Sequence, residues 1–229
     1  MLKKLFRWAL ILAGGMLAFG LVMIPFALND LRYSRFLVYP PQQIDEEPIP
    51  MLLFLHGSGS RGKEVSQIGH EDLPFMRPDH EFPFLVVAPQ CSPGKDWEER
   101  SLLKLIEQME AEYPIDPDRI YVTGLSLGGY GTWHLALRYP DRFAAIMPIC
   151  GGANRPVETF HKLDSLPMWV FHGTDDDIVG IWKSHYILDE IMPTNPNIRF
   201  TAYEGMGHNV WDTTYHNPEV WEWLLQQHR

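Results

Sequence analysis

Ile120-Tyr121-Val122-Thr123-Gly124-Leu125-Ser126-Leu127-Gly128-Gly129-Tyr130 is the stretch whose reading decides the fold. An apolar run with strand character enters a G-x-S-x-G, Gly124 to Gly128, and a helical pattern over 127–139 leaves it. That context, strand before and helix after, separates a nucleophile elbow from a chance match to a five-residue pattern. Flanking glycines give the neighbouring chain room at such a turn. The serine hydroxyl then sits exposed at a helix N-terminus, where the helix dipole favours developing negative charge. The competing reading is an ordinary glycine turn in which Ser126 only caps the helix.

Outward from this turn the chain alternates. Short apolar runs ending in turn residues predict strands at 51–55, 84–88, 120–123, 144–149, 168–171 and 198–203, with a weaker one at 35–39. Helices are predicted at 98–113, 127–139, 181–191 and 219–228; the first carries an apolar stripe of Leu102, Leu105, Ile106 and Met109, and Pro114 closes it. Alternation of this kind means a parallel sheet with helices on both faces. Ligands bind such sheets beyond the carboxyl ends of the strands, so the loops after each strand are where chemistry belongs.

A serine hydroxyl needs a base. Where this elbow occurs, the chain order is serine, acid, histidine. His208 lies in Glu204-Gly205-Met206-Gly207-His208, a glycine-rich loop after the last predicted strand, and is the expected base. His134 lies in a helix and His172 ends a strand; both read as packing or hydrogen-bonding residues, as does His216. The acid should follow the preceding strand, where Asp175, Asp176 and Asp177 stand in a row. Three adjacent carboxylates cannot all face one imidazole, and spacing alone selects none of them. An oxyanion needs backbone N–H donors. The residue after the nucleophile, Leu127, is one. Ser58, in the loop His56-Gly57-Ser58-Gly59 after the first long strand, is the other.

From Met51 to the C-terminus the chain resembles the esterase and dienelactone-hydrolase-like branch of the α/β-hydrolases, in particular its predicted-peptidase or feruloyl-esterase-like group. The stretches that carry the resemblance are Leu55-His56-Gly57-Ser58-Gly59-Ser60-Arg61-Gly62, Ala88-Pro89-Gln90-Cys91, 121–139, Pro148-Ile149-Cys150-Gly151-Gly152, Val170-Phe171-His172-Gly173 and Gly205-Met206-Gly207-His208. The resemblance implies an α/β-hydrolase fold. It implies an acid four residues after the histidine of the His-Gly pair, which is Asp176, and Gln90 and Trp97 lining the substrate cleft. The chain departs from the pattern at Gly180, where the group usually has proline, and in a shortened region before Met51, where the first strands of the sheet are few or missing.

Composition bounds the remaining possibilities. The chain has 229 residues, 45% apolar and 21% charged, enough for one self-sufficient globular core. A formal net charge of -10 argues against a nucleic-acid partner. Lys3, Lys4 and Arg7 precede an uncharged run over 8–28. As a helix that run would span about 30 Å, the hydrocarbon thickness of a bilayer. A cleaved signal has a shorter apolar core and a small-x-small site; here the run ends Ile24-Pro25-Phe26-Ala27-Leu28. Residues 1–29 are therefore expected to form a transmembrane anchor, with a signal segment as the alternative, and 30–229 the catalytic domain. The positive flank stays cytoplasmic, which puts that domain on the non-cytoplasmic side: in a bacterium, the periplasm or outer surface, or secreted if cleaved.

In the strand order that the resemblance implies, two other strands lie between those that Cys91 and Cys150 follow, about 14 Å at the spacing of strands in a sheet, beyond the reach of a disulfide unless the loops bend sharply together. Two free thiols are expected. No His/Cys/Asp cluster has metal-ligand spacing, and no cofactor is required. The expected function is hydrolysis of carboxylic esters, small or polymer-borne, through Ser126, His208 and Asp176 and an acyl-enzyme. The same residues would serve a serine peptidase. An inactive binding protein would show a lost member of the set, and none is lost.

Overall fold

The computed structural model describes residues 35–41, 48–62, 64–65, 68 and 82–229. The expected membrane helix lies outside them, as do most of the 1–29/30–229 boundary region and most of the long connection over 60–82. Among the described residues no helix is long and apolar enough to cross a membrane.

Seven strands form one sheet: β1 (Phe36–Tyr39), β2 (Ile49–Leu55), β3 (Leu85–Pro89), β4 (Ile115–Leu125), β5 (Ala145–Ile149), β6 (Met168–Gly173) and β7 (Ile198–Tyr203), in the order β1-β3-β2-β4-β5-β6-β7. Only β1 runs antiparallel, with Phe36 opposite Pro89 and Tyr39 opposite Val86. It is the single strand before β2 among the described residues, and most of the region before β2, on which the expectation of few or missing first strands falls, lies outside them. The helices are α1 (Glu99–Glu112), α2 (Leu127–Arg138), α3 (Trp182–Ile191), α4 (Trp211–Tyr215) and α5 (Pro218–Leu225).

Both faces of the sheet are covered, and β2 shows how. Ile49, Met51, Leu53 and Leu55 point into a core shared with α1, α2 and α3. Leu52 and Phe54 point into the opposite core, shared with α4 and α5. A strand whose residues alternate between two apolar cores must be apolar throughout. That is why these strands read as continuous hydrophobic runs.

Two elements differ from the expectation. β4 begins at Ile115, five residues earlier than its apolar run, and α4 was not expected at all. The last helix spans Pro218–Leu225, with the Asn217 side chain capping it through the Glu219 N–H at 3.1 Å. The expected separation of the cysteines holds. Cys91 follows β3 and Cys150 follows β5, with β2 and β4 between them, and both are buried thiols outside any disulfide.

Candidate active site

Ser126 stands between β4 and α2 with φ 54° and ψ -114°. A non-glycine residue at positive φ costs on the order of 1–3 kcal/mol and persists only where its surroundings hold it. Here the Ser126 N–H donates to the Ile149 carbonyl at the end of β5 at 2.9 Å, and the Ser126 carbonyl accepts from Tyr130 N–H at 3.0 Å. The flanking glycines are required by contact. A Cβ on Gly124 would lie 2.5 Å from the Gly128 oxygen, and one on Gly128 would lie 1.8 Å from the Leu55 oxygen. β2 thus passes directly beneath the turn. Leu127 opens α2, so its N–H belongs to the first turn, whose donors have no intrahelical acceptor.

His208 and Asp176 meet at the ends of β7 and β6. His208 Nδ1 donates to Asp176 Oδ2 at 2.7 Å. The other carboxylate oxygen accepts the N–H groups of Ile178 and Val179 at 3.0 and 2.8 Å. Of the three adjacent aspartates only Asp176 is buried; Asp175 and Asp177 are exposed. Burial alone would raise the Asp176 pKa, but the imidazole and the two backbone donors outweigh it and hold the carboxyl below its usual value. Trp211, opening α4, sets its ring edge-to-face with His208 at 5.5 Å.

Cys150 links this pair to the elbow. It also has positive φ, 47°. Its Sγ donates to the His208 carbonyl at 3.1 Å, while the preceding residue, Ile149, accepts from Ser126. Consecutive residues at the end of β5 therefore hold Ser126 and His208. Burial first, and then the Asp176 charge, push the Cys150 thiol up to about 12, so it is a neutral S–H. Far apart in sequence, Cys150, Asp176 and His208 present ligand-type atoms within 4.8 Å of one another. Ligand spacing along the chain gave no hint of this cluster. The short His208–Asp176 hydrogen bond and the neutral thiol make it a hydrogen-bonded unit.

The turn after β2 that carries Ser58 approaches the nucleophile through Gly57. A Cβ on the adjacent Gly57 would fall 3.8 Å from Ser126 Cβ. Ser58 begins a single 3-10 turn, Ser58–Ser60, so its N–H too is at an open N-terminus. His56 fixes this loop. Its Nε2 accepts from Cys91 N–H at 3.1 Å, which places the proton on Nδ1, and Nδ1 donates to the Gly57 carbonyl at 2.7 Å. His56 carried no role in the sequence beyond its place in the glycine turn, because one of its two partners, the Cys91 N–H, is brought near only by the fold. Gln90 and Trp97, expected in the cleft wall, are each only 5% exposed. The Gln90 amide donates to the Glu64 carbonyl at 3.0 Å. Trp97 packs edge-to-face on His56 at 4.9 Å, and a Cβ on Gly131 would press on its ring.

An elbow serine, an imidazole seated on a buried carboxylate and two helix-start N–H groups around one strand edge form a constellation suited to acyl transfer. Residues 94–217, more than half of the chain, match the phospholipase/carboxylesterase family. The chain belongs to that family. Among this carboxylesterase-family chain's curated relatives, a bifunctional acetylxylan esterase/xylanase of Neocallimastix patriciarum is 31% identical over 158 residues, 62% of this chain and 21% of that protein. A poly(3-hydroxyalkanoate) depolymerase of Paucimonas lemoignei is 32% identical over 120 residues, 45% of this chain and 28% of that one. The chain thus spans less than a third of either relative. A solved thermostable esterase superposes with a TM-score of 0.77 at 32% identity, covering 85% of this chain and 59% of its own. The fold is that of the α/β-hydrolases, with a mostly parallel sheet.

Proposed function

We propose that this carboxylesterase-family protein cleaves carboxylic esters with Ser126 as nucleophile, His208 as general base and Asp176 as the acid that orients His208. The observation that carries the reading is the 2.7 Å bond from His208 Nδ1 to a buried Asp176, tied through Ile149 and Cys150 at the end of β5 to a serine at positive φ. With its Nδ1 proton committed to Asp176, His208 keeps a lone pair on Nε2 to take the Ser126 proton as the hydroxyl attacks the ester carbonyl. The N–H groups of Leu127 and Ser58 receive the developing oxyanion. His208 then returns the proton to the departing alcohol, and water releases the acyl group by the same route. The names of the relatives favour esters carried on polymers as well as small ones. Gln90 and Trp97 belong to this reading as residues lining the substrate cleft, Gln90 bonded to the Glu64 carbonyl and Trp97 packed on His56.

The test is fluorophosphonate labelling of the full chain against its Ser126→Ala variant, followed by matched ester and peptide panels. Labelling should vanish in the variant, and ester turnover should fall on the order of a millionfold. A folded wild-type protein that neither labels nor turns over esters would remove the reading, and turnover of peptides alone would replace it with a serine peptidase. We further propose that the run over 8–28 anchors the protein in a membrane, with the catalytic domain on the non-cytoplasmic side. Release of the full chain from membranes by alkaline carbonate would contradict the anchor.

A further inference from the structure

His172, at the end of β6, is completely buried and is not one of the groups assigned to the chemistry. Its surroundings determine where its proton lies. Nε2 faces two atoms, the Val179 carbonyl oxygen at 2.7 Å and Asp176 Oδ2 at 3.2 Å. A carbonyl oxygen and a carboxylate held ionised by its donors can only accept, so Nε2 must carry the hydrogen. Nδ1 lies 2.8 Å from Ser184 Oγ on α3. A fully buried imidazole is held neutral by desolvation, the largest influence on it, against the opposing pull of the Val179 carbonyl and Asp176. In the neutral ring Nδ1 is then a lone pair, and the Ser184 hydroxyl donates to it.

Asp176 therefore receives N–H groups on both oxygens. Ile178 and Val179 donate to Oδ1 and His208 donates to Oδ2, while His172 Nε2, whose N–H bonds the Val179 carbonyl, lies 3.2 Å from the same Oδ2. The Val179 peptide is held from both ends, its N–H on Asp176 and, one bond further, its carbonyl on His172. His172 thus closes the turn that carries the acid onto the strand that precedes it. Ser184 also lies 3.4 Å from the Gly151 carbonyl, just beyond the β5 end that holds Ser126 and His208.

We propose that His172 is a positioning residue for Asp176: as the Nε2–H tautomer set by the Val179 carbonyl and Asp176 and braced by Ser184 on Nδ1, it fixes the carboxylate orientation that seats His208 for catalysis. This rests on the reading of Asp176 and His208 given above. The step it serves is charge formation on His208 during attack, so its loss should lower kcat and leave substrate binding alone.

The test compares His172→Leu, His172→Gln and Ser184→Ala in the full chain. A glutamine amide can present an N–H near the Nε2 position, and leucine cannot. His172→Leu should lose roughly tenfold to a hundredfold in kcat, the worth of a hydrogen bond to a charged group, with KM within about twofold. His172→Gln should recover most of that loss. Ser184→Ala, a change small enough to keep the fold, should lower kcat by roughly threefold to tenfold. A folded His172→Leu protein with unchanged kcat would overturn the proposal, as would equal loss in the leucine and glutamine variants. If His172→Leu does not fold, Ser184→Ala with full kcat overturns it. Nitrogen-15 NMR of ring-labelled wild-type protein decides independently. Protonation at Nε2 with a bare Nδ1 is expected, and an Nδ1–H tautomer would overturn the assignment even if the protein proved to have no esterase activity.

Discussion

Gly128 has the least room of the glycines at the site: a methyl there would overlap the Leu55 carbonyl, which cannot move without disturbing β2. Overpacking against backbone in a strand buried on both faces costs more than the usual 1–3 kcal/mol of a crowded side chain. Gly128→Ala should lower the melting temperature by roughly 6–12 °C, corresponding to about 3 kcal/mol in a domain of this size; an unchanged melting curve would show that the elbow tolerates displacement. Asp176→Asn tests the opposite kind of residue, one that chemistry needs more than packing. It should keep KM and lose on the order of 10⁴-fold in kcat, because the amide cannot hold His208 in the tautomer that frees Nε2. These residues were not equally legible. Ser126 and His208 stand in local patterns, a glycine elbow and a glycine-rich loop after a strand. Asp176 stands among three carboxylates, and what distinguishes it is burial and two backbone N–H groups, which sequence spacing does not record; only the family resemblance selected it. His56 and His172 were invisible as working residues because each acts on partners contributed by other segments.

At the scale of elements, the helix that follows His208 matters most. α4 lies between the His208 loop and α5, and Tyr215 pins it to the sheet. Thr123 Oγ1 on β4 donates to the Met147 carbonyl at 2.7 Å, so the Tyr215 hydroxyl, 2.9 Å away, must be the donor to Thr123. Tyr215→Phe keeps the ring packing against Phe54 and Trp221 and deletes that bond. It should cost about 1 kcal/mol, a fall of roughly 2–4 °C in melting temperature. A kcat reduced by more than a few-fold would mean instead that α4 transmits its position to His208 through Trp211. The sequence concealed this helix because five residues are too few to show a helical period, and Trp211 to Tyr215 offers no apolar stripe. The parallel strands were legible for the opposite reason: buried on both faces, they are apolar from end to end. The early part of β4 was missed because Asp116-Pro117-Asp118-Arg119 carries charge and a proline, features that argue against a central strand.

The molecule as a whole carries a stability dependence that its composition does not suggest. At a formal net charge of -10, protonation on acidification relieves self-repulsion and by itself would stabilise the folded chain. His56 and His172 act against this. Both are fully buried, and desolvation, the first cause in each, lowers their pKa in the fold despite the hydrogen bonds that oppose it. In the unfolded chain the same imidazoles take up protons below about pH 6.5. Between that value and the lower folded one the unfolded state binds more protons, so stability falls as pH falls, by up to about 1.4 kcal/mol per pH unit for each group. Asp176 also has a lowered pKa, but its contribution is intact above the unfolded carboxylate value and is lost only below about pH 4. His134 on α2 behaves the same way, its pKa lowered first by desolvation, so the interval between about pH 6.5 and 4 is dominated by three histidines, two of which hold the oxyanion loop and the acid loop. Thermal melts across this range should be flat above neutrality and fall steadily from about pH 6.5 downward. His172→Gln, which removes one of the three titrating groups, should show a shallower fall over the same interval even if it starts from a lower melting temperature. Parallel curves for wild type and variant would mean that His172 is already protonated in the folded protein, and the neutral imidazole on which the Asp176 arrangement depends would have to be abandoned.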